Sequence, residues 1–512
     1  MLKSKKWLYP LYSASIILIY IALSYNSLVF NDYTWHIKAG EWMVKNKEIM
    51  TTNIFSWVTP NEYLFTHEWL AEIFMYLFKC IFKLDFLFMI FCILLLFVPI
   101  LIFIKKNLET KSLLSTCVLS VILIMISSST LYARPLYFGL FFFTLLVKTL
   151  NDIKTKKDNF LWVIFPIITI LWTNMHGGTV LFAILGPLGY LIGSFFNFES
   201  SKLKAVKGTI EQRKKYLYLT ITNTIATLLN PCGIKMFYFS LIINNSETKE
   251  MVQEWNKATI DWYNCSIVII LIITFLIFTK MKIDFTEFAG LTCFVFLTLV
   301  YGRFYSWTAI YFIIVFIKYF SNKKSNFFEK GFPLQIVVLT VMIFGYIIFA
   351  IFNMKFPEPR YEMSNEMVEA IRKENPKRMF NSYNTGGILA YNDFKVFGIS
   401  DAEAMDFETM WLSKRIENLD FDLKLLEMYN FDYFLVNTET HLYKYFKLNS
   451  DKYELIYKDD EVVGEFNSKQ NNQNHFNSYA LVKNLEYDEN IEYDESNKNI
   501  IFTQTEEKNK KE

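Results

Sequence analysis

Apolar runs of fifteen to twenty residues recur along this chain, and they constrain its fold more than any other feature. One of them, "DFLFMIFCILLLFVPILIFI", begins at Asp85. As a helix, such a run is long enough to span a hydrocarbon core of about 30 Å. Composition points the same way: 53% of the 512 residues are hydrophobic and 18% are aromatic. That is more apolar material than a soluble core of this length would bury. The chain reads as a polytopic membrane protein, an all-α bundle with spans expected near 7–28, 85–104, 113–132, 136–150, 160–174, 179–196, 216–230, 264–280, 286–301, 304–320 and 333–353.

Lysine placement gives these spans a direction. "MLKSKK", "KKNLETK" from Lys105, "NDIKTKKDN" from Asn151, the loop Lys202–Lys215, "KMK" from Lys280 and "NKKSNFFEK" from Asn322 are all basic. The positive-inside bias assigns them to the cytoplasm. Eleven crossings follow, with the N-terminus inside and everything after Met354 outside, as in a multi-pass protein of the inner or plasma membrane. The first run follows "MLKSKK" without a small-residue cleavage site, so it is expected to be a retained signal anchor. "WLAEIFMYLFKCIFK" (Trp69–Lys83) is short and interrupted by Glu72, Lys79 and Lys83. It fits the count as an interfacial helix; a true span compensated elsewhere is the other reading.

The net charge of +2 gives no reason to expect nucleic acid. Six cysteines, none in a CxxC pair, argue against both a disulfide framework and a thiolate metal site. After Met354 the text changes to short strand-like and helix-like segments, including "SNEMVEAIRKEN", "KRMFNSY", "KVFGIS", "NLDFDLKLLEMYN", "DYFLVN" and the hairpin-like "YELIYKDDEVVGEF". Their alternation predicts a small extracytoplasmic α/β domain over 354–466. Residues 467–512, rich in Asn, Gln, Lys and Glu, read as a disordered tail. The membrane module with its first outer loop, 31–84, would then cover 1–353.

Several polar residues are not needed by this topology, and all fall at the outer boundary. They are Asp32 and His36 in "FNDYTWHIKAG", His67 and Glu68 in "FTHEWL", Arg134 in "YARPLYF", Asn174 and His176 in "LWTNMHGG", Asn230 in "LLNPCG", Glu254 and Asp261 in "EWNKATIDW", and Arg303 in "YGRFYSW". Ionisable groups at a membrane face are costly unless they pair, meet water or do work. A carboxylate or imidazole can serve as a general base, and arginine's planar fork matches phosphate oxygens. Asp32, His67 and Glu68 could also supply oxygen and nitrogen ligands to a divalent metal ion, with His36 alongside.

Each residue also has a simpler reading. Asp32 could cap a helix starting near Tyr33, and Glu68 could cap the following helix. Arg134 and Arg303 could anchor lipid head groups. His176 with Gly177 and Gly178 could form a tight turn. Glu254 and Asp261 could be solvated loop charges. The functional case rests on their convergence at one face.

The stretch "NDYTWHIKAGEWMVKNKEIMTTNIFSWVTPNEYLFTHEWLAEIFMY", followed in order by "ARPLYFG", "WTNMHGG" and "LNPCG", resembles a group of bacterial membrane proteins of GT-C-type architecture. "NSYNTGGILAY" and "LLEMYNFDYFLVN" resemble their outer domain, although "SDAEAMDF" (Ser400–Phe407) lacks the Asp-x-Arg expected there. The resemblance implies a glycosyltransferase acting in the cell envelope on a polyprenyl-phosphate-linked sugar. Asp32 would be the catalytic aspartate of the first outer loop, supported by His36, His67 and Glu68. Arg134, Asn174, His176, Glu254 and Arg303 would bind the lipid phosphate or the sugar. A transporter or lipid flippase with an outward vestibule is the alternative; it would show midplane charges and pseudo-symmetric halves. A non-catalytic scaffold is the third reading.

Overall fold

The computed structural model describes residues 31–59, 63–107, 133–157, 160–238, 282–321, 363–399, 407–419, 429–459 and 479–489, with residues 17, 272 and 426 singly. They fall into two units. Among the described residues the helical unit takes 67–238 and 282–321, and the mixed unit takes 31–66 and 363–489.

Helix α1 (Asn31–Asn46) opens the mixed unit, with Asp32 in its first turn. Asp32 is therefore inside the helix rather than its cap, at a position where a carboxylate interacts favourably with the helix dipole. The helical unit begins with α2 (Trp69–Phe82) and α3 (Asp85–Asn107), then α4 (Leu136–Lys154), α5 (Leu161–Met175) and α6 (Phe182–Gly193). A short antiparallel pair follows, β1 (Phe198–Glu199) with β2 (Leu203–Ala205), and then α7 (Ile210–Thr227). Strand β3 (Ile283–Asp284) joins β2 in parallel and leads into α8 (Phe285–Val300) and α9 (Tyr305–Ser321). Aromatic packing ties the first helices together: the Phe74 ring lies 5.4 Å from Phe91 and 5.6 Å from Phe138.

Local chemistry sets the helix starts. Thr209 and Gln212 form a reciprocal capping box at α7. The Asp284 carboxylate caps α8, accepting from the N–H groups of Thr286 (2.9 Å) and Glu287 (3.3 Å). Helix α4 ends, and α7 and α8 begin, around Lys154, whereas α5 ends and α6 begins at the His176 turn, so the unit has two polar ends. Gln212 Nε2 donates to the carbonyls of Ile153 and Lys154, both at 2.9 Å, and Lys154 pairs with Asp284 and Glu287. Three of the Lys-rich segments thus meet at one end.

The expected bundle of eleven membrane spans is overturned. Segments 7–28, 113–132, 264–280 and 333–353 lie outside the described residues, apart from residues 17 and 272. Among the described residues two helices are long and apolar enough to cross a membrane, over Asp85–Ile102 and Leu136–Lys154. Helices α5, α6, α8 and α9 have 15, 12, 16 and 17 residues. At 1.5 Å per residue they reach only about 18–26 Å, short of the ~30 Å core. Helix α7 has 18 residues, but its start carries Glu211, Arg213, Lys214 and Lys215. The physical reason is that hydropathy does not register turns: Gly177–Thr179 is a 3-10 turn that shortens one apolar run, and Gly193 ends it.

The mixed unit continues with α10 (Asn365–Glu374), β4 (Met379–Asn381), α11 (Gly386–Tyr391), α12 (Phe407–Asn418), β5 (Tyr433–Asn437), α13 (His441–Leu448), β6 (Tyr453–Lys458) and β7 (Tyr479–Asn484). Its sheet runs β4-β5-β7-β6, with β4 and β5 parallel and β7 antiparallel to both neighbours. Strand β7 corrects the expected tail: Ala480, Leu481 and Val482 are buried between β5 and β6. "KVFGIS" contributes one bridge, Val396 to Ser56, rather than a strand.

The first loop is part of this unit. Trp57 Nε1 donates to the Met379 carbonyl (3.1 Å), and Phe55 and Trp57 exchange backbone hydrogen bonds with Val396. Val58 enters a core with Phe380, Phe397, Tyr429, Phe431 and Phe434. Asn381, fully buried, donates to the carbonyls of Ser382 and Gly398 and accepts from the N–H of Phe397 at 2.8 Å. A Cβ at Gly386 would sit 2.0 Å from the Gly398 carbonyl oxygen, so only glycine fits this turn of "NTGG".

Candidate functional site

The end of the helical unit opposite Lys154 gathers most of the polar residues singled out in the sequence. His67 and Glu68 immediately precede α2. The Glu68 side chain makes no capping bond, so the capping reading does not describe it. Its carboxylate lies instead between two imidazoles, with Oε1 3.6 Å from His67 Nε2 and 3.5 Å from His176 Nε2. These are ion-pair distances, longer than a formed hydrogen bond. The His67 and His176 rings meet edge to face with centroids 6.2 Å apart.

The chain brings these groups together through short turns. His176 ends α5 and starts the Gly177–Thr179 turn. The Gly177 N–H donates to the His67 carbonyl (3.2 Å), and a Cβ on Gly177 would come within 3.2 Å of His67 Cβ. Asn174 braces the same junction: its Oδ1 accepts from Trp69 Nε1 (2.7 Å), and its Nδ2 donates to the carbonyls of Ile170 (2.7 Å) and Leu229 (2.8 Å). Asn230 closes the turn after α7, accepting from the Cys232 N–H (2.7 Å). Asn174 and Asn230 are thus structural anchors of the site.

Arg134, just before α4, and Arg303, in the 3-10 turn Gly302–Phe304, act on this cluster electrostatically. Burial is the main force holding His176 well below the usual imidazole range. The neighbouring His67, Arg303 and Arg134 push in the same direction. His176 is therefore neutral at physiological pH, and Glu68 is the carboxylate among the two imidazoles and two guanidinium groups.

Asp32 and His36 belong to the mixed unit, one helical turn apart on α1. His36 is buried, and its ring lies 3.6 Å from that of Trp35. Glu254 and Asp261 lie outside the described residues, as does 400–406 of "SDAEAMDF". Among the described residues no group of three or more His, Cys, Asp or Glu side chains is arranged to hold a metal ion. The metal reading of Asp32, His67 and Glu68 therefore draws no support from geometry.

Sequence reasoning passed over three residues here. Trp172 Nε1 donates to Thr179 Oγ1 (3.1 Å), and Thr179 Oγ1 lies 3.0 Å from His176 Nδ1. A Cβ on Gly139 would stand 3.0 Å from both His176 Nδ1 and Thr179 Oγ1. The signal was present: Trp172 and Thr179 flank His176 at helix-turn spacing, and Gly139 closes "ARPLYFG". No protein-family model matches the chain, and no curated protein matches it significantly.

Proposed function

We propose that this chain is a membrane-embedded glycosyltransferase that moves a sugar from a polyprenyl-phosphate-linked donor to an acceptor hydroxyl at the outer face of the membrane. One observation carries the reading: His67, Glu68, His176, Arg134 and Arg303, from four separate segments, converge at one end of the helical unit. The two helices long and apolar enough to cross a bilayer support membrane association. In the reaction the acceptor oxygen bonds to the anomeric carbon and loses its proton to a carboxylate. The bond from that carbon to the phosphate oxygen breaks, and the phosphate leaves with the electron pair. Arg134 and Arg303 suit the leaving phosphate, on which charge builds as that bond breaks. Glu68 and His67 suit proton handling and acceptor orientation.

The resemblance to GT-C-type enzymes adds Asp32 as the catalytic aspartate, supported by His36, and Glu254 as a sugar-binding group. It also favours a multi-pass protein with the mixed unit outside the cell. The experiment is sugar transfer from a lipid-linked donor in membranes carrying the Asp32→Asn protein. Loss of transfer at an unchanged protein level is expected. Full retained activity removes Asp32 from catalysis.

A further inference from the structure

Three side chains next to the Glu68 site form a chain of hydrogen bonds whose direction can be worked out. An indole N–H can only donate, so Trp172 Nε1 gives its proton to Thr179 Oγ1, 3.1 Å away. The same hydroxyl oxygen is 3.0 Å from His176 Nδ1. Among the described residues the Thr179 hydroxyl has no other side-chain partner, and it is buried. Its one proton therefore goes to Nδ1, which must accept. Which ring nitrogen of a neutral imidazole is protonated is set by the bond that the other one makes. The remaining proton then sits on Nε2, the atom 3.5 Å from Glu68 Oε1.

We propose that Trp172 and Thr179 act in series to lock His176 in the neutral tautomer protonated on Nε2, making it a hydrogen-bond donor aimed at the Glu68 carboxylate. His176 is then not the base of the site. It orients the Glu68 carboxylate. Gly139 belongs to the device, because a side chain there would press on Nδ1 and on the Thr179 hydroxyl together. Burial first, then the surrounding positive groups, outweigh a hydrogen bond between the ring and its own backbone and oppose a second ring proton, so the lock persists into mildly acidic conditions. The role of Glu68 rests on the transferase reading; the tautomer does not.

The chain has only five histidines, so nitrogen-15 labelling of histidine in the full-length protein resolves the rings, and His176→Gln identifies the signals of His176. The expected wild-type signature is an unprotonated Nδ1 and a protonated Nε2, unchanged between pH 7.5 and 5.5. Thr179→Val, nearly isosteric, should give mixed tautomers while the ring stays neutral in that range; Thr179→Ser should restore the wild-type signature. Should Thr179→Val fail to fold, Trp172→Phe removes the donor while keeping an aromatic ring, and should also mix the tautomers. A wild-type ring protonated on Nδ1, or a signature unmoved by these variants, overturns the proposal. In the transfer assay Thr179→Val should be slower by about tenfold, with Thr179→Ser restored, as for residues that orient a reacting group's partner. If transfer is absent even in the wild type but the tautomer behaves as stated, the transferase reading fails and the lock stands. If transfer is present and the tautomer does not depend on Thr179, the lock fails alone.

Discussion

The two polar ends of the helical unit use similar residue types in opposite ways. At the Lys154 end the contacts are tight. Lys154 Nζ lies 3.1 Å from Glu287 Oε1 and also pairs with Asp284, while the Tyr319 hydroxyl donates to Glu287 Oε2 at 2.8 Å. That hydroxyl in turn accepts from the Asp284 N–H at 2.9 Å. Glu287 is fully buried. At the other end Glu68 stands 3.5 and 3.6 Å from two imidazoles, and the hydrogen bonds run through the supporting groups Trp172, Thr179 and Asn174. Close ion pairs between buried charges fix helices to one another. A carboxylate set against two imidazoles in a rigid frame is placed to act on a substrate atom.

Four substitutions can break or sharpen that contrast. Lys154→Met leaves two buried carboxylates without their cation and should cost about 3 kcal/mol or more, read as a lowered midpoint in thermal unfolding of the purified protein. The double variant Lys154→Met/Glu287→Gln should recover part of it, since one stranded charge is gone. Glu68→Gln should do the reverse, slowing sugar transfer by about a hundredfold while moving the melting temperature by less than about 3 °C. If the two variants exchange effects, the division between structural and functional ends is wrong. Gly139→Ala should slow transfer by about tenfold, as expected when an orienting group is displaced; the rate of the purified variant checks this.

The smallest effect concerns acid. His176 has its folded pKa lowered, so the unfolded chain takes up a proton that the folded chain refuses. Its contribution to stability is full above about pH 6.5, the ordinary histidine value, and is lost as pH falls. His176→Gln should remove this slope, a change of about fourfold in the folded-to-unfolded ratio at pH 6. Unfolding curves at pH 7.5 and 6 for both proteins measure it. An identical slope in both would place the acid sensitivity elsewhere.

Parts of this arrangement can be read in the sequence for definite reasons. "DYFLVN" is a continuous apolar run with turn residues around it, and β5 lies there. "SNEMVEAIRKEN" carries a Ser at the cap position, and Ser364 accepts from the Met367 N–H (3.0 Å) at the start of α10. Strand β7 was hidden because the polar text around Tyr479–Asn484 dilutes "YALV", and because its partners β5 and β6 precede it in the chain. The count of spans failed because expected spans such as 179–196 include turn residues at their ends, leaving a helix of only 12 residues in α6. Residue types singled out His67, Glu68 and His176, which the fold brings together. What they could not show is which polar neighbours are anchors, as Asn174 is, because that depends on the carbonyl of Leu229, 55 positions away. The loop motif "FSWVTP" is similar. It reads as part of a catalytic loop, yet Ser56 accepts from the N–H groups of Val58 and Thr59, and Trp57 is built into the mixed unit.

That last feature sets a timetable for synthesis. Trp57 bonds to Met379, 322 positions later, so the first piece of the mixed unit is made long before its partners. At 5–20 residues per second the wait is on the order of half a minute. During that interval the Trp57 and Val58 side chains must be kept from other partners while the whole helical unit is laid down. Central strand β7 is later still, so the sheet cannot close until chain beyond residue 484 has emerged. A stop codon shortly before Tyr479 would therefore remove the middle of a sheet rather than trim a tail, and would strand residues made at the very beginning.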